Sequence, residues 1–187
     1  MKVYTFLTDG FETVEALAVI DILRRAGIEV ETVSITGNEQ VCSAQNITVK
    51  ADTLFKAQPV RKEDVLFLPG GPGHKQYNEC KPLLELLEKH HAEGGRIAAI
   101  CAAPSVLGAA GLLEGRHATC HPGFEEKLTG AITSEDAVVV DGNIITSRGM
   151  GTAIDFGLAI VDCLTDFDEE VVEHVKKGIV YRNFEEV

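Results

Sequence analysis

Basic residues are scarce in this chain. Its 17 Lys and Arg stand against 29 Asp and Glu, a formal net charge of −12. Nucleic acid and anionic membrane both select for a basic patch, so neither is expected as a main partner. No basic-plus-apolar leader precedes the first strand-like run, Lys2 to Leu7, and no apolar stretch approaches membrane-spanning length. The five cysteines (42, 80, 101, 120 and 163) are odd in number, widely spaced and contain no C-x-x-C pair. Free thiols in a reducing compartment are therefore expected, and the cytoplasm fits best. There is also no internal repeat, low-complexity tract or linker-like segment. The expectation is one domain over residues 1–187, long enough for a full core.

What is present reads as alternating strands and helices. Lys2 to Leu7 is a strand, Thr8-Asp9-Gly10 a turn, and Phe11 to Ala26 a helix closed by Gly27, with Val14, Leu17, Ile22 and Leu23 facing inward. Glu29 to Ile35 is a second strand, and this opening βαβ unit implies a parallel sheet. Val41 to Ser43 and Ile47 to Ala51 form a hairpin or edge excursion. Val65 to Leu68 is a buried strand stopped by Pro69-Gly70-Gly71-Pro72-Gly73. Pro82 to Glu93 is an amphipathic helix, Arg96 to Ile100 a buried strand, and Pro104 to Ala110 a helix. Ala118-Thr119 is a short strand. Val138 to Val140 and Ile144 to Thr146 form a hairpin around Asp141-Gly142-Asn143. Gly151 to Leu164 and Asp168 to Lys177 complete the helices. The acidic clusters Asp166 to Glu170 and Glu185-Glu186 read as solvated surface. One α/β domain with helices on both faces fits this order.

Cys101 carries most of the functional information. It ends the apolar run Arg96-Ile-Ala-Ala-Ile100 and precedes Ala102-Ala-Pro-Ser105. A strand, a sharp turn bearing a thiol and then a helix can expose a reactive side chain at a sheet edge, where the helix start favours a thiolate. A small buried hydrophobe is the alternative that the local sequence leaves open. Ligands of parallel sheets sit beyond the strands' carboxyl ends. The Asp9 to Glu12 turn, the Pro69-Gly70-Gly71 turn and Cys101 all fall there. Glu12 is either the second half of an Asp9-x-x-Glu12 capping box or a carboxyl sharing a proton with the thiol. Gly70 and Gly71 are either a tight turn or amide donors to an oxyanion, with Ala102 the natural further donor. His121 is either a proton carrier or a loop histidine.

Other motifs carry less. Cys120-His121 lacks a second ligand pair, so no metal is expected. His90-His91 reads as solvent-facing, and His74, His117 and His174 as surface residues. Ser147 to Thr152 lacks the lysine and spacing of a phosphate loop. It reads as a polar helix start, with Arg148 available to a carboxylate or a partner subunit.

Taken together, Glu12-Thr-Val14, Arg25-Ala-Gly-Ile28, Val41-Cys-Ser43, Leu68-Pro-Gly-Gly71, Ala98-Ala-Ile-Cys-Ala-Ala-Pro104 and Thr146-Ser-Arg-Gly-Met-Gly-Thr152 running into Ala153-Ile-Asp-Phe-Gly157 resemble the ThiJ/PfpI superfamily. The resemblance is to the branch of the Parkinsonism-associated protein deglycase. It implies a flavodoxin-like three-layer α/β sandwich with a mostly parallel central sheet, commonly as a homodimer. It implies that Cys101 is a low-pKa nucleophile that oxidises readily to a sulfinate, that Glu12 shares its proton, and that Gly70, Gly71 and Ala102 line the oxyanion site. Ala102 stands where the protease-like branch has His, which argues against a peptidase. Ala44 and Gln45 follow Cys42-Ser43 where close relatives often have Arg. The activity so implied is cofactor-free conversion of methylglyoxal to lactate (a glyoxalase III-type reaction), or deglycation of protein or nucleotide adducts. A redox sensor or oxidation-dependent chaperone built on the same cysteine is the alternative. A thiamine-biosynthesis role finds no phosphate motif to support it.

Overall fold

The computed structural model describes residues 1–56, 60–165 and 168–182; Asp166 and the Glu185-Glu186 pair lie outside them. Eleven strands and six α-helices are found among the described residues. In chain order they are β1 (Lys2–Leu7), α1 (Thr13–Arg25), β2 (Glu29–Ser34), β3 (Gln40–Cys42), β4 (Thr48–Lys50), β5 (Thr53–Leu54), β6 (Val65–Leu68), α2 (Lys75–Glu79), α3 (Lys81–Ala92), β7 (Arg96–Ile100), α4 (Pro104–Ala109), β8 (His117–Ala118), β9 (Ile132–Thr133), β10 (Val138–Asp141), β11 (Ile144–Ser147), α5 (Ala153–Leu164) and α6 (Glu169–Gly178). The main sheet runs β10-β11-β7-β6-β1-β2-β5. Every pairing in it is parallel except β10 with β11, which form the expected hairpin. β3 and β4 make a separate antiparallel hairpin. The short β8 pairs in parallel with β9.

The strands alternate, and both faces are covered. Val3, Val65, Phe67, Ala98, Ile100 and Ile145 meet α1, α5 and α6 on one side. Tyr4, Phe6, Leu66, Leu68, Ile97 and Ala99 meet α2, α3 and α4 on the other. This is the three-layer sandwich with a mostly parallel sheet that the family resemblance implied. Successive side chains point to opposite faces, so both strand faces must be apolar, which is why β6 and β7 read as unbroken hydrophobic runs. No helix among the described residues is long and apolar enough to cross a membrane.

Several local expectations needed correction. Val14 does not face inward: it is 41% exposed, and Leu17 is only half-buried. The buried face of α1 is Thr13, Glu15, Ala16, Val19, Ile20, Ile22 and Leu23. The expected Ile22 and Leu23 lie on it, but its N-terminal half is one position out of the assumed phase and contains a glutamate. Asp9 is not half of a capping box, since its Oδ1 accepts from the Cys42 N–H at 2.9 Å. His90 is buried rather than solvent-facing, and its Nε2–H donates to the Asp64 carbonyl at 3.0 Å. His74 is likewise buried.

Phe67 is fully buried in β6, with its ring 5.7 Å from that of Phe156 in α5. Truncation would remove the sheet-to-helix contact and leave a cavity. Phe67→Ala is expected to lower unfolding free energy by about 3–5 kcal/mol. Urea unfolding followed by circular dichroism checks this, and a loss under about 1 kcal/mol would mean the site collapses around the gap.

Candidate active site

The site grows from the sheet order. β6, β7 and β11 are neighbours, so the turns after Leu68 and Ile100 open at the same edge of the sheet. The turn after β1 is tied to the turn after β6: the Glu12 N–H donates to the Gly70 carbonyl at 3.0 Å, and the Gly73 N–H to the Gly10 carbonyl at 2.9 Å. Buried Tyr77 closes the floor, its hydroxyl donating to the Phe6 carbonyl at 2.9 Å and the Pro69 carbonyl at 3.2 Å.

Cys101 sits directly past β7 in the left-handed region, φ +65°. That conformation costs a non-glycine residue roughly 1–2 kcal/mol and persists only where surroundings over-determine it. Here both its backbone polar groups are tied. The Cys101 N–H donates to the Ser147 carbonyl at 2.9 Å, and the Cys101 carbonyl accepts from the His121 N–H at 2.9 Å. The side chain is held off the helix path, and Cys101 as a residue is half-buried.

The carboxyl beside it belongs to Glu15, not Glu12. Glu12 is the N-cap of α1, and its Oε2 accepts from the Glu15 N–H at 2.8 Å. One turn further along, Glu15 is 1% exposed and points into the site. Its Oε2 accepts from the Gly70 N–H at 3.0 Å, and the Cys101 thiol and the Met150 amide lie near enough to favour its ionised form. The cap satisfies an orphan helix amide with one carboxylate and leaves the next, on the buried stripe, to meet the sulfur.

Burial, reinforced by the nearby Glu12 charge, pushes the Glu15 carboxyl up to about 7 against the thiol and amide hydrogen bonds that favour its ionised form. The Cys101 thiol is subject to opposing effects. Burial and then the Glu15 carboxylate push it up to about 12, while the Gly71 and Ala102 amides favour the anion. The two groups titrate as a pair. While Glu15 is ionised the proton stays on sulfur; once Glu15 takes it, the repulsion goes and the two amides stabilise the thiolate.

The glycines are required sterically. A Cβ on Gly70 would come within 2.5 Å of Glu15 Oε2 and 2.6 Å of Cys101 Cβ. Gly71, at φ +92°, would bring one within 2.5 Å of the Glu12 nitrogen. Of the three expected oxyanion donors, the Gly71 and Ala102 amides favour charge on the sulfur. The Gly70 N–H is instead committed to Glu15 Oε2 at 3.0 Å.

His121 borders the site. Its Nδ1–H donates to the Pro122 carbonyl at 2.9 Å. A Cβ built on Gly149 would lie 3.7 Å from both His121 Cδ2 and Glu15 Oε1. Ring and carboxyl thus flank one glycine, but the ring does not bond the sulfur. Arg148 is held within the chain, donating to the Glu135 carbonyl at 2.8 Å. Gln45 likewise caps α1, its Oε1 accepting from the Thr13 hydroxyl at 2.6 Å. All five cysteines are free thiols, and buried Cys120 is pushed up to about 11 by desolvation. No cluster of His, Cys, Asp or Glu among the described residues could hold a metal ion. A cavity of about 610 Å³ between α5 and α6 contains none of these site residues.

A buried carboxyl paired with a cysteine on a strained strand-to-helix turn, at the carboxyl edge of a doubly wound sheet, defines a class of thiol-centred α/β proteins. The DJ-1/PfpI family model matches residues 1–163, and the chain belongs to that family. Two Arabidopsis thaliana proteins, DJ-1 homologs B and A, are 40% and 39% identical over 91% and 94% of this chain, which spans only 40% and 45% of their own lengths. The glutathione-independent glyoxalase DJR-1.2 of Caenorhabditis elegans is 37% identical, covering 82% of each chain. The structure of oxidised Toxoplasma gondii DJ-1 superposes with a TM-score of 0.90 at 34% identity, covering 97% of this chain and 98% of that one.

The sign of the Glu15 shift gives a stability test. Between the usual carboxyl value of 4.5 and about 7, the unfolded chain releases this proton and the folded chain keeps it. The unfolded state then binds fewer protons, so stability falls as pH rises through that window and levels off above it. Relative to Glu15→Gln, the protein is expected to lose about 3 kcal/mol across the window. Paired urea titrations at its two ends measure this, and a pH-independent difference would show that the carboxyl is not shifted.

Proposed function

We propose that this protein is a cofactor-independent cysteine enzyme that converts small α-oxoaldehydes such as methylglyoxal to hydroxy acids. The observation that carries this reading is Glu15, buried against Cys101 with a pKa pushed up to about 7. A proton carrier tuned near neutrality beside a thiol is what an internal proton shift requires. The name of the C. elegans relative supports the substrate class.

The reaction starts from thiol and carboxylate. As Sγ bonds to the aldehyde carbon, the thiol proton passes to Glu15 and the carbonyl electron pair becomes an alkoxide beside the Gly71 and Ala102 amides. Glu15 returns the proton to that oxygen, giving a hemithioacetal. Again a carboxylate, it removes the proton from that carbon and delivers one to the neighbouring carbonyl carbon through an enediol. The first carbon becomes a thioester and the second an alcohol. Water cleaves the thioester, releasing lactate and restoring the thiol. The sum is methylglyoxal plus water to lactate, with no external oxidant or reductant. His121 Nε2 is a second proton acceptor at the rim, suited to activating that water. Glycated adducts of the same aldehydes are a further substrate class for the same first step.

A second reading is a redox sensor. It is favoured by the oxidised state in which the Toxoplasma relative was solved. In this reading peroxide oxidises Cys101 stepwise, each step transferring one oxygen to sulfur and releasing water, and Glu15 when protonated donates to the resulting oxyanion.

Lactate formation from methylglyoxal, without glutathione or metal, separates the two. Cys101→Ser is expected to reduce turnover to background, and Glu15→Gln to lower it by about 10²–10⁴-fold. Glu12→Ala should retain turnover while losing about 1 kcal/mol of stability with its cap. Turnover that survives Glu15→Gln would remove Glu15 as the proton carrier. Absence of lactate from folded protein with reduced Cys101 would favour the sensor.

A further inference from the structure

We propose that His74 is a positioning residue for Cys101, setting the chemistry of the sulfur without touching it. This rests on reading Cys101 as the reacting group. The sequence offers no reason to single out His74, and the structure buries it to 7% exposure. Its ring Nδ1–H donates to the Gly71 carbonyl at 2.9 Å, and its backbone N–H reaches the same oxygen at 3.1 Å. Gly71 is, with Ala102, one of the two residues whose amides favour charge on the Cys101 sulfur. It has no side chain to anchor it, and its φ of +92° is open only to glycine at low cost. The two donors from His74 therefore grip the Gly71 carbonyl, while the Gly71 amide favours charge on Cys101.

The same ring reaches a second wall of the site. His74 meets Phe124 edge-on, with ring centroids 5.5 Å apart at 76°. Phe124 meets His121 in the same manner, at 6.1 Å and 86°. His121 donates its backbone N–H to the Cys101 carbonyl. One imidazole thus links the Gly70-Gly71 turn, which packs against the Cys101 Cβ, to the His121–Phe124 loop, which holds the Cys101 carbonyl. The charged groups around it are Lys127, whose Nζ lies 4.2 Å over the Phe124 ring, and Lys75. Burial first, and then these cations, disfavour the imidazolium. The ring remains neutral, which suits a fixed Nδ1–H donor.

The test replaces the ring's functions one at a time. His74→Phe keeps an aromatic edge against Phe124 but loses the donor, whereas His74→Asn keeps a short N–H donor without the ring. The readout is the pH profile of iodoacetamide alkylation at Cys101, followed by peptide mass spectrometry, with circular dichroism reporting folding. This readout needs no turnover, so it stands whether or not lactate is made. His74→Phe is expected to shift the profile to higher pH and slow alkylation about five- to tenfold at about pH 7. His74→Asn should restore the rate to within about threefold. Folded His74→Phe with a wild-type profile would overturn the proposal. So would an equal shift in both variants, which would assign His74 to packing alone. Should His74→Phe fail to fold, the comparison passes to His74→Gln against His74→Leu, with the same two outcomes decisive. An altered profile in a protein that makes no lactate would uphold His74 and remove only the glyoxalase reading.

Discussion

The structure depends at its functional edge on a carboxyl that is buried against a sulfur. Glu15 is 1% exposed, yet its Oε2 accepts from the Gly70 N–H, and the Cys101 thiol and the Met150 amide stand beside it. A buried carboxyl without such partners would be prohibitively unfavourable. Supplying them constrains the turns after β6, β7 and β11 together. Gly70 must lack a side chain so that its N–H can reach Glu15, and Cys101 must adopt a left-handed backbone so that its sulfur leaves the helix path. The sheet order makes this possible, because only adjacent parallel strands bring those turns to one edge.

Much of the fold was legible from hydrophobic patterning. β6 and β7 are runs of apolar residues on both faces, apart from Arg96 at the start of β7, which marks them as central strands. The two hairpins were visible from short alternation and the Asp141-Gly142 turn signal. What escaped was too short to carry a period. β5 and β9 have two residues each, and α2 has five. Their existence is decided by tertiary pairing rather than local preference.

The residues gathered at this sheet edge were legible in Cys101, in the glycine turn and in Ala102, but not in the buried carboxyl. Two expectations failed for one reason. Placing Val14 and Leu17 on the buried face of α1 rotates the helix so that Glu15 points outward, leaving Glu12 as the only carboxyl near Cys101. The signal that could have corrected this was present: Glu15, Val19 and Ile22 follow the spacing of one helical face, and Ala16, Ile20 and Leu23 flank it. A glutamate in an otherwise apolar stripe is either an error of phase or a functional group. His74 gave no comparable signal. Its burial depends on the Pro72-Gly73 turn folding back under Phe124, a contact 50 residues away in sequence.

The raised thiol and the proposed nucleophile are consistent once the pair is treated as a unit. A cysteine whose sulfur ionised alone would be permanently reactive toward any electrophile or oxidant. Here the proton and the negative charge are distributed over one sulfur and one carboxyl, and the protein's fixed dipoles decide where each sits. The amides of Gly71 and Ala102 favour charge on sulfur, while those of Gly70 and Met150 favour it on Glu15. Small changes in the Gly70-Gly71 turn therefore transfer charge between the partners rather than create it. An aldehyde that accepts the sulfur's electrons tips the balance in one direction, with Glu15 taking the proton. An oxidant that places oxygen on the sulfur needs Glu15 in the same protonated state. The choice between enzyme and sensor thus lies less in the pair itself than in which electrophile gains access to the partly exposed Cys101 rim bounded by His121 and Gly149.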